Sequence, residues 1–284
     1  MFETIVVGVE GREGGRAALA LAGALQRALG SHVVAVTAYP HDHPLTRGSS
    51  PAYDAAVEED AERVIAAEAT AAGLEARALA VPDSSPARAL HHVAEREGAG
   101  LIIVGSDHQG PAGRVLAGGV TNGTLYGAPC PVAVAPLGLA GTAATVRTVG
   151  VGYDASPESE RALELAVNLA GLTNAKLELM CVLAAPVPPG EESTALVTEA
   201  ARAIGDRASV WTAQGVPDVE LARRSSQLDL LVIGSRGYGP LRRLMLGSTS
   251  VQLVRSASCP VIVLPRGAEE TAAPPYALAA TGDA

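Results

Sequence analysis

The sequence reads as an α/β protein made of two tandem, open, parallel five-stranded sheets flanked by helices. Three observations carry that reading. The 32 residues from Gly105, GSDHQGPAGRVLAGGVTNGTLYGAPCPVAVAP, align with GSRGYGPLRRLMLGSTSVQLVRSASCPVIVLP from Gly234 at a constant offset of 129. Internal repetition over such a span marks a duplicated unit. TIVVGVEGREGGRAALALA from Thr4 pairs likewise with TVGVGYDASPESERALELA from Thr148. Finally, LIIVG and LLVIG are unbroken apolar runs that suit strands covered on both faces.

Each half opens with a β-branched strand (Ile5 to Val9; Val149 to Gly152), a turn of small residues and an alanine-leucine helix, as a parallel α/β unit begins. A second strand follows (His32 to Ala38; Lys176 to Leu183), and in the first half a helix is predicted from about Tyr53 to Ala72. A third strand (Glu75 to Val81; Ser209 to Gln214) leads to a helix opening near Pro86 or Pro217, since proline suits the first helical turn. After the apolar fourth strand come a glycine-rich loop, one more helix, and a closing PVAVA or PVIVL. The predicted organisation is one domain over 1–138, a Gly/Ala/Thr-rich linker at Gly138 to Thr145, a second domain over 146–266, and a flexible tail over 267–284.

Composition narrows the function classes. With 284 residues, 48% of them hydrophobic and 18% charged, the chain can bury two cores and is not disordered. A net charge of -9 argues against a nucleic-acid footprint or adhesion to anionic lipid. The longest uncharged run, Val115 to Val146, holds six glycines and three prolines and reads as loop, helix, strand and linker rather than a membrane span. MFETIVVGVEG lacks the basic and apolar regions of a signal peptide, and three scattered cysteines form neither a disulfide framework nor a zinc site, so a cytoplasmic location is expected.

One segment has spacing that carries chemistry: Gly234-x2-Gly237-x9-Gly247-Ser248, directly after an apolar strand and running into a helix. Glycines let backbone N–H groups approach an anion, and a hydroxyl-bearing helix N-terminus adds donors for phosphate. Arg236, Arg242, Arg243 and Arg255 make the segment locally basic, and no acidic residue interrupts it. The alternative is a ligand-free glycine-rich connection. Asp154, after the first strand of the second half, is either a ligand group or a turn carboxylate, a part Ser156 fills equally well.

On these residues the chain resembles the universal stress protein family in its tandem, two-domain form, over about 2–136 and 146–265. GSRGYGPLRRLMLGS matches the family's G-x2-G-x9-G-[ST] loop at every defined position, and Asp154 in VGVGYDAS matches its first-strand Asp. The resemblance implies a Rossmann-like fold and, for the ATP-binding branch, Asp154 and Gly234 near the ribose and Val182 near adenine. It sets Gly237, Gly247 and Ser248, with Thr249 and Ser250 next in line, on the phosphates. ATP is the implied ligand, with Mg, if bound, held through the phosphates.

In the first half His108 replaces the second loop glycine, Gly119 the Ser/Thr, and Glu10 the Asp, while Asp107 stands where the second half has Arg236. Each change removes a contact or turns the local field against an anion, so nucleotide is expected mainly in the second half. All six histidines lie in the first half, but His41 and His43 have no partnering cysteines or acidic cluster, and no metal site is expected. His91 and His92 read as surface and partial core, and Cys130 and Cys259, each before a proline, as small buried residues.

The implied function is an ATP-binding regulatory module in stress response, not an enzyme, since the second-half loop offers no placed base. The alternatives are an ATP-cleaving or adenylating enzyme, against which the SGGxDS-like loop is missing after both first strands, and a structural pairing module that binds no nucleotide. The apolar closing strands invite edge pairing, which predicts an intrachain pseudo-dimer of the two domains and further homo-oligomerisation.

Overall fold

The computed structural model describes residues 1–39, 51–106, 119–142, 144–183, 197–198, 200–202, 204–205, 208–235 and 248–265. In the first half these form β1 (Thr4–Gly8), α1 (Glu13–Leu29), β2 (His32–Tyr39), α2 (Pro51–Ala71), β3 (Arg77–Pro82), α3 (Pro86–Glu97), β4 (Leu101–Gly105), α4 (Val120–Leu125) and β5 (Val132–Ala135). The second half supplies β6 (Thr148–Gly152), α5 (Pro157–Thr173), β7 (Lys176–Leu183), β8 (Ala208–Gln214), α6 (Pro217–Ser225), β9 (Leu230–Gly234), α7 (Ser248–Ser256) and β10 (Val261–Leu264). The predicted linker carries a 3-10 turn at Leu137–Leu139, and the tail from 266 onward lies outside the described residues.

The predicted α/β architecture is present, with one addition. The two sets of five parallel strands join into a single ten-stranded sheet of order β3-β2-β1-β4-β5-β10-β9-β6-β7-β8. Every pairing is parallel except that of β5 with β10, which is antiparallel. Strand alternation divides the core between the two faces. Ile5, Val7, Ala133 and Ile262 point to the face packed by α1, α2 and α5, whereas Val6, Val132, Val134 and Val261 point to the face covered by α3, α4, α6 and α7. Both faces are buried, which is why the strands read as continuous apolar runs rather than alternating ones.

The helix boundaries follow from local chemistry. Ser85 and Ser156 are N-caps that accept from the Arg88 and Ser159 amides, each followed by a proline at the first helical position. Gly30 and Gly98 close α1 and α3 with φ of 70° and 60°, the left-handed conformation that glycine adopts without penalty. Cys130, Cys181 and Cys259 are buried thiols, and desolvation pushes the first and last up to about 12, so both are inert small core residues.

Candidate functional site

The carboxyl ends of β6, β7 and β9 lie along one edge of the second-half sheet, and α5 and α7 begin there. The chain leaves β6 for β7 on one side, whereas β9 lies on the other, so the crevice between β6 and β9 is the topological switch point at which open α/β sheets place ligands. Of the predicted site residues, Asp154, Val182, Gly234, Thr249 and Ser250 come to this edge, with Ser248 as the first residue of α7. Gly237 and Gly247 lie outside the described residues, as do Arg236, Arg242 and Arg243.

Gly234 ends β9 where the first turn of α5 crosses it. A Cβ there would fall 2.6 Å from the Glu158 carbonyl oxygen. That atom is backbone and cannot swing away, so the loop must start with glycine for the helix to approach the strand. Gly105, its equivalent, is tighter still, at 2.2 Å from the Gly14 carbonyl oxygen. This steric demand explains why the first loop glycine is present in both halves although the second glycine and the Ser/Thr are not.

Ser250, buried in the first turn of α7, donates its hydroxyl to the Gly234 carbonyl at 3.2 Å. Thr121, 129 positions earlier, donates to the Gly105 carbonyl at 2.8 Å. The same staple therefore ties each loop's start to the helix that follows it. The family resemblance set Ser250 next in line for the phosphates; in the structure its hydroxyl proton goes to the Gly234 carbonyl. The sequence signal was available, because a hydroxyl stands at both aligned positions. Arg255 sits in the last turn of α7, about 10 Å along the axis from the N-terminal end at 1.5 Å per residue, and so does not belong with the loop cations.

Asp154 is exposed at the turn between β6 and α5. Its Oδ1 accepts from the Ser156 amide at 3.1 Å and from the Ser156 hydroxyl at 2.5 Å, around an Ala155 held at φ 58°. Of the two roles left open by the sequence, this geometry displays the turn carboxylate. Behind it, Tyr153 is buried, its amide donating to the Met180 carbonyl at 2.9 Å and its hydroxyl to Glu160. Burial first, then the Glu160 carboxylate, push the Tyr153 phenol up to about 12, so it remains a neutral donor. Val182 is half-buried near the end of β7, opposite Ala213 of β8.

The corresponding edge of the first half holds an open crevice between β1, β2 and β4, with Glu10 at the position of Asp154. Sequence reasoning did not foresee it. His108, Asp107, His41 and His43 lie outside the described residues, and among the described residues no group of His, Cys, Asp or Glu is placed to hold a metal ion. No helix of the described residues is long and apolar enough to cross a membrane.

Comparison with known proteins follows the same duplication. The family profile "Universal stress protein family" matches residues 1–136 and again 145–265. A universal stress protein of Mycobacterium tuberculosis is 31% identical over 186 residues, 57% of this chain and 61% of that protein. The chain thus aligns with less than two thirds of the length of that relative. A universal stress protein of Thermus aquaticus is 32% identical over 135 residues, 42% of this chain and 98% of its own. Among solved structures, a universal stress protein from Archaeoglobus fulgidus superposes with a TM-score of 0.70 at 23% identity, covering 93% of this chain and 96% of that one. One from Pseudomonas aeruginosa gives 0.68 at 21%, covering 94% and 95%. With both halves matched by the same profile, the chain belongs to the universal stress protein family in its tandem, two-domain form.

Proposed function

We propose that the second half binds an adenine nucleotide, ATP first among them, and that the chain works as a nucleotide-dependent regulatory module in stress response. The observation that carries this reading is the convergence at the β6/β9 switch point of Gly234, stapled at its carbonyl by Ser250, with the N-terminal turn of α7. The N-terminal turn of α7 brings the positive end of a helix dipole to that crevice, where phosphates bind. Asp154, after β6, and Val182, near the end of β7, lie at the same edge, and on this reading serve the ribose and the base. The first half, with Glu10, Asp107, His108 and Gly119 in place of the motif residues, binds ATP weakly or not at all.

Magnesium, when present, is carried by the phosphates, and the protein acts in the cytoplasm without nucleic-acid or membrane partners. The halves serve each other as a pseudo-dimer through β5 and β10, and whole chains associate further. Binding rather than turnover is the output: a steady-state rate above about one per second, the low end of ordinary enzymes, would instead support the ATP-cleaving alternative. The test is to denature the purified protein, identify released nucleotide by mass, and titrate ATP into the full chain. One equivalent of ATP, lost in a Gly237→Val variant that retains its circular dichroism, is the expected result; no binding heat and no released nucleotide would leave the pairing module as the reading.

A further inference from the structure

The ten-stranded sheet ends in β3 on one side and β8 on the other, and its two edges are finished differently. In a parallel pair a residue bonds to the neighbours of its register partner, so the partner itself turns its N–H and C=O the other way. Tyr39 is in register with Pro82 but accepts from the Asp83 amide, and Leu183 is in register with Gln214 but accepts from the Gly215 amide. Ala78, Ala80 and Pro82 of β3 therefore direct their backbone groups outward, as do Val210, Thr212 and Gln214 of β8. At β3 that edge is guarded. Pro82 has no N–H, and the Ala80 amide donates to Glu62 Oε1 of α2 at 3.3 Å. At β8 it is open. The strand ASVWTAQ holds neither proline nor charge, Thr212 and Gln214 are exposed, and among the described residues nothing bonds to the outward backbone groups of Val210, Thr212 and Gln214.

We propose that β8 pairs antiparallel with β8 of a second copy of this chain, about a twofold axis at Thr212, and that assembly stops at two chains because β3 is guarded. Centred on Thr212 the strand is complementary to itself: Thr212 meets Thr212 and Val210 meets Gln214, while on the opposite face Trp211 meets the small Ala213, and no charge faces a like charge. The chain already pairs this way internally, where β5 and β10 run antiparallel about Ala133 and Ile262. Such an isologous pair uses up β8 in both chains and leaves only the guarded edges outside. Seven residues span only about 23 Å, so the contact lies at the small end of protein interfaces and the dimer is concentration-dependent. The inference rests on the association between chains proposed above, to which it gives a surface, and not on nucleotide binding.

Sedimentation equilibrium of the full chain across the micromolar range tests it. The unsubstituted chain should pass from monomer to dimer. Thr212→Lys and Thr212→Glu, at an exposed position, each set like charges against each other across the axis and should each weaken the dimer by about tenfold or more, whereas an equimolar mixture of the two should restore it. Thr212→Pro removes an N–H that faces away from β7, so it should weaken the dimer while the circular dichroism is retained. A dimer that survives all three variants, or a mixture of the Lys and Glu variants that stays monomeric, would overturn the β8 pairing and leave association through another surface. Assemblies larger than two chains would overturn the stop at β3, and a chain that remains monomeric throughout would overturn the association itself.

Discussion

Ala133 of β5 and Ile262 of β10 stand directly opposite each other in the antiparallel seam, and they are equivalent residues of the two repeats, 129 positions apart. Val132 faces Val263 and Val134 faces Val261, so the register is symmetric about that central pair. Both central side chains are fully buried. The closing strand of each half is thus capped by the other's, which removes two exposed sheet edges at once.

This placement changes what a charge at Ile262 does. On sequence grounds Ile262→Lys should weaken association between chains through that edge. With Ile262 at 0% exposure and against Ala133, the substitution instead buries an unpaired ammonium inside the fold. A loss of more than about 3 kcal/mol of unfolding free energy is expected, and Ile262→Ala should lose about 2–5 kcal/mol. Urea unfolding measures both. An Ile262→Lys protein of undiminished stability with altered mass in light scattering would show that the seam opens in solution.

Gly234→Ala and Gly105→Ala separate packing from binding. Each new methyl would overlap backbone, at 2.6 Å in the second half and 2.2 Å in the first, so each should destabilise by about 1–3 kcal/mol, Gly105→Ala at the upper end. Only Gly234→Ala should reduce ATP affinity. Equal loss of ATP binding in the two variants, measured by calorimetry at a temperature where both are folded, would contradict the asymmetric reading.

Most of the fold was legible because the repeat and the strand pattern are local properties. Lys176–Leu183 forms a strand over the span expected of it, and the helices opening at Pro86 and Pro217 start where proline set them. The seam was legible only in part. PVAVA and PVIVL advertise open edges and so predict that the halves pair, but no short-range pattern gives the antiparallel register, which depends on residues 129 positions apart. At the site, spacing identified Gly234 and the family resemblance put it near the ribose, but the packing demand seen in the Cβ clash with Glu158 appears only when α5 and β9 are brought together. Likewise the first-half crevice depends on what three separate strands leave unfilled, and Glu10 alone gave no hint of it.

Acid should remove a small, identifiable part of the stability. Asp83 takes a bidentate contact from Arg88, 2.8 and 2.5 Å, and the guanidinium holds its carboxyl below the ordinary 3.8. Glu97 is held below its ordinary value by Arg77 and then Arg96. A depressed carboxylate stabilises the folded chain above its unfolded pKa, and that contribution is lost as pH falls through the folded value. Asp83→Asn should therefore lower the urea midpoint at pH 7 by a small amount, since Arg88 is 57% exposed, and the gap from the parent should close below about pH 4. A gap that stays constant from pH 7 to pH 2.5 would mean that the pair is not the cause.

On the face covered by α6, Arg224 grips Glu178 of β7 through Nη2 at 2.6 Å and Nε at 3.1 Å, with its guanidinium 5.8 Å from the Trp211 ring centroid. Glu178 is 9% exposed at its side chain and Arg224 25%, so the carboxylate is the desolvated partner. Removing the cation alone strands that carboxylate, and Arg224→Ala should cost about 2–3 kcal/mol, at the lower end for a buried pair because the arginine retains some solvent. Replacing both, Glu178→Leu with Arg224→Met, removes the charge to be solvated and keeps the volume against Trp211, and should recover most of the loss. The double-mutant cycle from urea unfolding decides the point: a coupling well above 0.5 kcal/mol is expected for residues in direct contact. A coupling near zero, with the double variant as unstable as the sum of the single ones, would mean that packing of the arginine stem on Trp211, rather than the ion pair, holds α6 to the sheet.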